Sequence, residues 1–133
     1  MKYLIDTDWI IDHLKGDERV AKKLEELATE GVAVSAISLA EVYEGVYYSR
    51  DPVKSQELFE AFLAPDLRIL NIDREVSKVF GKERGRLRQQ KKMISDFDLM
   101  IACTCLYYDL TLLSNNRKHY EMVEGLRIFS LSS

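Results

Sequence analysis

Five short, predominantly apolar runs alternate with segments of helical spacing along this chain, and that alternation restricts its fold more than any other feature. The runs are Lys2 to Ile5, Val32 to Ser35, Leu67 to Ile72, Thr111 to Leu113 and Leu126 to Phe129. They read as continuous apolar stretches rather than the in–out pattern of a half-wet strand, which predicts strands covered on both faces. Between them, Trp9, Ile10 and Leu14 mark a first helix, and Val20, Leu24, Leu27 and Ala28 a second that Gly31 ends. Leu39, Val42, Tyr43, Val46 and Tyr47 form the face of a third helix, opened by Ser38. Asp51–Pro52 starts a fourth through Leu58, Phe59, Phe62 and Leu63, stopped before Pro65. Asp73 caps a long fifth through Leu87, Leu99 to Tyr108 forms a sixth, and a short polar turn and helix follow the fourth strand. The pattern predicts an α/β fold, a short parallel sheet with helices on both faces. With 133 residues and no break in composition, residues 1–133 are expected to form a single domain.

Sheets of this kind bind ligands outside the carboxyl ends of their strands, near the point where strand order reverses. Polar residues just after strands, or at helix N-termini, are therefore the candidates. Asp6 follows the first strand directly; Asp8 competes with it to cap the first helix, and one cap uses one side chain. Asp8 is assigned the cap with a supporting role, and Asp12, one turn further on, a solvated surface position. Glu41 lies in SAISLAEVYEG, where Ser38-x-x-Glu41 has the form of a capping box. Its helix nevertheless starts after the second strand, at the same sheet edge as Asp6. In MISDFDLMIA, Asp96 and Asp98 both stand at a helix start, and either can cap it. Three carboxylates from remote positions at one edge repel one another, and a divalent cation relieves the conflict; all-oxygen donors suit Mg²⁺ or Mn²⁺. LLSNNRKHY then brings Ser114 and Asn116 to the same edge, with an asparagine serving the turn.

A net charge of −3 and a pI near 5.5 exclude a generic polyanion binder. The basic residues that count are local: Lys82, Arg84, Arg86, Arg88, Lys91 and Lys92 in KERGRLRQQKK. They read either as a solvated helix face or as a phosphate-contacting stripe. Tyr43, Tyr47 and Tyr48 read as core or partner contacts, His13 and His119 as surface or capping groups, and Cys103 and Cys105 as small buried hydrophobes. The longest nearly apolar stretch, Leu99 to Tyr108, is half the ~20 residues that a membrane span needs. The chain enters a strand directly after Met1–Lys2, so a cytoplasmic protein without signal peptide or membrane association is expected.

LIDTDWIIDHL around Asp6, SLAEVYEG around Glu41, ISDFDLMIACTCL around Asp98 and LLSNNRKHYEMVEGLRI occur in an order and at distances that resemble PIN domains, specifically VapC-type toxins. The resemblance runs from residue 2 to about residue 129. It implies a Rossmann-like α/β/α sandwich and a Mg²⁺- or Mn²⁺-dependent endoribonuclease, usually dimeric, held inactive by a cognate VapB-type antitoxin. Residue by residue, it makes Asp6, Glu41 and Asp98 the acidic metal ligands, with Asp98 rather than Asp96 matching because it directly precedes LMIA. Asn116 falls where many members have a fourth Asp, Ser114 where Thr or Ser is common, and Asp8 where Asn or Ser is commoner. RQQKK lacks a glycine often found before the ISDFD block.

The resulting expectation is metal-assisted hydrolysis of an RNA phosphodiester, with Ser114 and Asn116 positioning water or a supporting group and Arg84, Arg86 and Arg88 contacting phosphate. Two alternatives stand beside it. An apolar strand followed by Asp-x-Asp also resembles haloacid-dehalogenase phosphatases, with Asp6 as nucleophile and Asp8 as acid. A PIN module with Asn116 that binds RNA or a partner without cleaving is the other.

Overall fold

The computed structural model describes residues 1–63 and 67–131. Among these, five strands, β1 (Tyr3–Ile5), β2 (Val32–Ser35), β3 (Arg68–Leu70), β4 (Thr111–Leu113) and β5 (Arg127–Phe129), form one sheet in the order β3-β2-β1-β4-β5. Every pairing is parallel, with Leu4 opposite both Ala33 and Leu112. The helices are α1 (Thr7–Leu14), α2 (Glu18–Leu27), α3 (Ala36–Tyr47), α4 (Pro52–Leu63), α5 (Arg74–Gln89), α6 (Asp96–Tyr108) and the single turn α7 (Arg117–Tyr120).

Alternation along each strand divides the core into two apolar layers. Leu4, Ala33 and Leu112 face Val76, Leu87, Leu99, Ile101 and Ala102 of α5 and α6. Ile5, Val34 and Leu113 face Trp9, Ile10, Val42 and Phe59 on the other side. This three-layer α/β/α arrangement is the one the apolar runs predicted. Cys103 and Cys105 are buried, unpaired members of the first layer, and burial pushes the Cys103 thiol up to about 12. No helix among the described residues is long and apolar enough to cross a membrane.

Several boundaries differ from those read in the sequence. The third strand shrinks to Arg68–Leu70, because it lies at the edge and pairs with β2 over three residues. Asp51 and Asp73 cap α4 and α5 as expected, accepting from the N–H groups of Lys54 and Val76. Pro65 lies outside the described residues. Helix α3 is capped by Ser35, which accepts from the Ile37 N–H at 3.0 Å, so Ser38 lies inside the helix and forms no capping box with Glu41. Ser95 rather than Asp96 or Asp98 caps α6, accepting from the Asp98 N–H at 3.2 Å.

Chain order reverses beside β1: the chain steps outward to β2 and β3, then crosses back to β4 and β5. The crevice outside the carboxyl ends of β1 and β4 is the topological switch point. The N-termini of α1, α3 and α6 approach this edge, and their dipoles favour negative charge there.

Candidate active site

Asp6 is the residue immediately beyond β1 and is 3 % exposed. It also caps α1: Oδ1 accepts from the Thr7 N–H at 2.9 Å. Structural capping and site membership thus belong to one side chain, and Asp8, assigned the cap from sequence, does something else. Oδ1 of Asp6 accepts a second bond from the Tyr120 hydroxyl at 3.0 Å, while Oδ2 accepts from Ser114 Oγ at 2.7 Å. Burial raises the Asp6 carboxyl above the usual range, and these three donors oppose the rise.

Ser114 stands just after β4 and is fully buried. Its hydroxyl donates to Asp6 and accepts from the Asn116 N–H at 3.0 Å. It therefore orients Asp6 and anchors the start of α7. Asn116 itself is exposed at the N-terminus of α7, and its side chain makes no capping bond.

Asp98 lies in the first turn of α6, where Oδ1 is 3.3 Å from the same Tyr120 hydroxyl. Its Oδ2 is 3.5 Å from Nδ1 of His119, which places this largely exposed histidine beside the site rather than on unrelated surface. Glu41 reaches the edge from the second turn of α3 and accepts from Thr7 Oγ1 at 2.7 Å; Thr7 Oγ1 is also 2.9 Å from Ser38 Oγ. Burial, then the fields of Asp98 and Asp6, raises the Glu41 carboxyl. Asp6, Glu41 and Asp98 thus form one electrostatically coupled group: the Tyr120 hydroxyl touches Asp6 and Asp98, and Thr7 joins Asp6 to Glu41, its N–H bonding the first and its hydroxyl the second.

Sequence reasoning passed over Thr7 and Tyr120. Neither carries a period or motif of its own; the only signal was that each sits beside an already suspected residue or stretch.

Asp8 turns away from this group. Its Oδ2 accepts from the Asn115 N–H at 2.9 Å, and Asn115 Oδ1 accepts from Trp9 Nε1 at 3.1 Å and from the Leu131 N–H at 2.8 Å. The three residues lock the loop after β4 onto α1. Burial, then the charge of Asp6, pushes the Asp8 carboxyl up to about 7, and its other oxygen is buried with no partner among the described residues. Tied in this way, Asp8 does not present the acid that the phosphatase alternative requires.

The basic stripe divides as well. On a helix, residues two apart point in different directions, whereas residues four apart share a face. Arg84 and Arg88 accordingly face one cleft of about 280 Å³ with Lys92, Met93 and Ile94, and Arg84 pairs with Asp96, two residues from Asp98. Arg86, expected among the phosphate contacts, instead binds Glu83 at 2.8 Å and the Met122 carbonyl at 3.1 Å, holding α5 to the segment before β5.

Among the described residues, no three His, Cys, Asp or Glu side chains enclose an ion by themselves. Two carboxylates sharing one hydroxyl, with a third linked through Thr7, match a hard cation that keeps several waters and takes one or two carboxylates directly. The all-oxygen donor set would suit Mg²⁺ or Mn²⁺, and Asp6, Asp98 and Glu41 are the residues that would hold it.

The chain as a whole is similar to known proteins. The PIN domain family model matches residues 3–125. Ribonuclease VapC1 of Methanocaldococcus jannaschii is 34 % identical over 133 residues, covering 96 % of this chain and 87 % of the relative. The tRNA(fMet)-specific endonuclease VapC of Salmonella typhimurium is 26 % identical over 128 residues, covering 96 % of both chains. In structure, a chain of the Rickettsia felis VapBC2 complex bound to a fragment of its promoter DNA superimposes with a TM-score of 0.91 at 28 % identity, covering 98 % of both chains.

Proposed function

The chain belongs to the PIN-domain family and, within it, to the VapC ribonucleases, and from that premise we propose that it is the endoribonuclease toxin of a toxin–antitoxin pair, dependent on Mg²⁺ or Mn²⁺. The observation that carries the reading is the meeting of Asp6 and Asp98 at one phenol hydroxyl outside the switch point of the sheet. An acidic pair of this kind is costly without a cation, and an RNA phosphodiester is the polyanion such a cation attracts.

When bound, the metal supplies an activated water and neutralises charge on the phosphate in the transition state. The chain's own residues hold and shape the site. Asp6 and Asp98 would hold the cation, and Glu41, fixed by the Thr7 hydroxyl, would assist directly or through a water. Ser114 keeps Asp6 in one rotamer. Asn116 offers a free amide at the rim for a substrate oxygen or the attacking water. Arg84 and Arg88, with Lys92, contact flanking phosphates from their shared cleft and offset the acidity of the edge.

The natural partner is a VapB-type antitoxin, and the protein acts as a homodimer in the cytoplasm. The partner reading is supported by relatives of the same fold whose solved structures are VapBC complexes. An arginine from the antitoxin placed at the acidic edge would occupy the cation's position and silence the enzyme. The test is cleavage of total RNA with Mg²⁺ or Mn²⁺, mapped by end sequencing, beside the Asp6→Asn variant. Discrete cleavage ends that vanish in the variant are expected. Persistence of the same ends in the variant, or their absence at every Mn²⁺ concentration, would overturn the proposal.

A further inference from the structure

Resting on the metal-dependent reading above, we infer that Tyr120 is the positioning residue that fixes the spacing of Asp6 and Asp98, and through it the affinity of the site for its divalent cation. Its ring is 1 % exposed and packs in the apolar layer with Leu99, Ala102 and Val123. A ring held this way cannot swing, so its oxygen is a fixed point against which both carboxylates are set, at 3.0 Å from Asp6 and 3.3 Å from Asp98. The two acids are remote in sequence, Asp6 just beyond β1 and Asp98 in the first turn of α6, and among the described residues this hydroxyl touches both.

The hydrogen-bond count explains why this affects metal binding. A phenol has one proton, so it donates to one carboxylate at a time and turns a lone pair towards the other. Asp6 keeps the Thr7 N–H and Ser114 hydroxyl as further donors, whereas among the described residues Asp98 has beyond the phenol only His119 at 3.5 Å. The pair is therefore held close but left one positive partner short. A cation held by Asp6 and Asp98 would supply that missing positive partner. Outer groups that orient metal-binding carboxylates typically contribute 10–100-fold in affinity.

Tyr120→Phe keeps the ring and removes only the oxygen; Tyr120→Leu removes the ring as well. Calorimetric titration of the full chain with Mn²⁺, without RNA, should show affinity about 10–100-fold weaker for Tyr120→Phe than for wild type. RNA binding measured without divalent metal should be unchanged, and saturating Mn²⁺ should restore turnover to within a few-fold. Equal Mn²⁺ affinity in Tyr120→Phe and wild type would overturn the inference. So would Phe behaving as wild type while Leu alone weakens binding, because the ring and not the hydroxyl would then matter. A wild type that binds no Mn²⁺ at all would remove the metal reading itself and this inference with it.

Discussion

Before β4 and at the start of β5, Asp109 and Arg127 pair at 2.9 Å with side chains 85 % and 56 % exposed. At the carboxyl edge of the same sheet, just beyond β1, Asp6 is 3 % exposed and receives two hydroxyls and one N–H, with no cationic side chain bridging it among the described residues. One end of the sheet neutralises an acid with a base in water. The other buries an acid among other acids. An exposed pair is worth about 0–1 kcal/mol, so the first end is ordinary surface. Burial of an uncompensated carboxylate is unfavourable by several kcal/mol before its donors are counted. Stability alone does not favour the second arrangement, and it persists where the fold offers a ligand crevice.

The two ends of the sheet differ most at Asp98. Asp98→Asn removes one charge from the coupled group while keeping the size and the Ser95 cap of α6. RNA cleavage with Mn²⁺ is expected to fall by at least about 100-fold, the scale seen when one electrostatic group of an active site is removed. Thermal unfolding of the metal-free variant should match or exceed wild type, because a repulsion is relieved. Full cleavage activity would place the chemistry elsewhere. Metal addition should act on the same end alone. Mn²⁺ at about 100 times its dissociation constant stabilises the folded wild type by about 2.7 kcal/mol, read as a rise in melting temperature. Asp98→Asn should lose most of that rise; an undiminished shift would mean that the ion binds outside the acidic group.

The two ends also differ in how far the sequence reveals them. Strand positions, the helix order and the caps at Asp51 and Asp73 were legible because each depends on neighbours within a few residues. The cap of α3 was not: Ser35 and Ser38 are chemically equal, and the end of β2 decides between them. Ser95 likewise displaced Asp96 and Asp98, since serine and aspartate cap about equally well. Arg86 was grouped with Arg84 and Arg88 by proximity in sequence, yet helical geometry turns it to Glu83 and Met122. Asp6, Glu41 and Asp98 were legible by their position at strand ends and helix starts. Tyr120 was hidden because its role depends on two carboxylates brought to it from Asp6 and Asp98 by the fold.

Smaller effects follow from the hydroxyls around Asp6. Ser114→Ala removes a donor from a buried carboxylate and the acceptor for the Asn116 N–H. Unsatisfied buried groups of this kind cost about 1–3 kcal/mol each, so urea unfolding of the metal-free variant should show a loss in that range. Added Mn²⁺ should recover part of it, since the cation replaces a lost positive contact on Asp6. A loss that Mn²⁺ leaves untouched would make Ser114 a loop anchor only.

Arg127→Ala is the matching change at the opposite end and should have the smallest effect. Arg127 pairs with Asp109, reaches its carbonyl at 3.1 Å and touches Thr111 Oγ1 at 3.4 Å, all at exposed positions. Water replaces these contacts at little cost, so unfolding free energy should fall by no more than about 1 kcal/mol, and by less at high salt, where the pair is already screened. Cleavage and the Mn²⁺-induced rise in melting temperature should both equal wild type. A change in either would show that the two ends are coupled through β4, whose Thr111 pairs with Arg127 at one end and whose Leu113 leads into Ser114 at the other. Equality in both would confine the consequences of charge to the buried end.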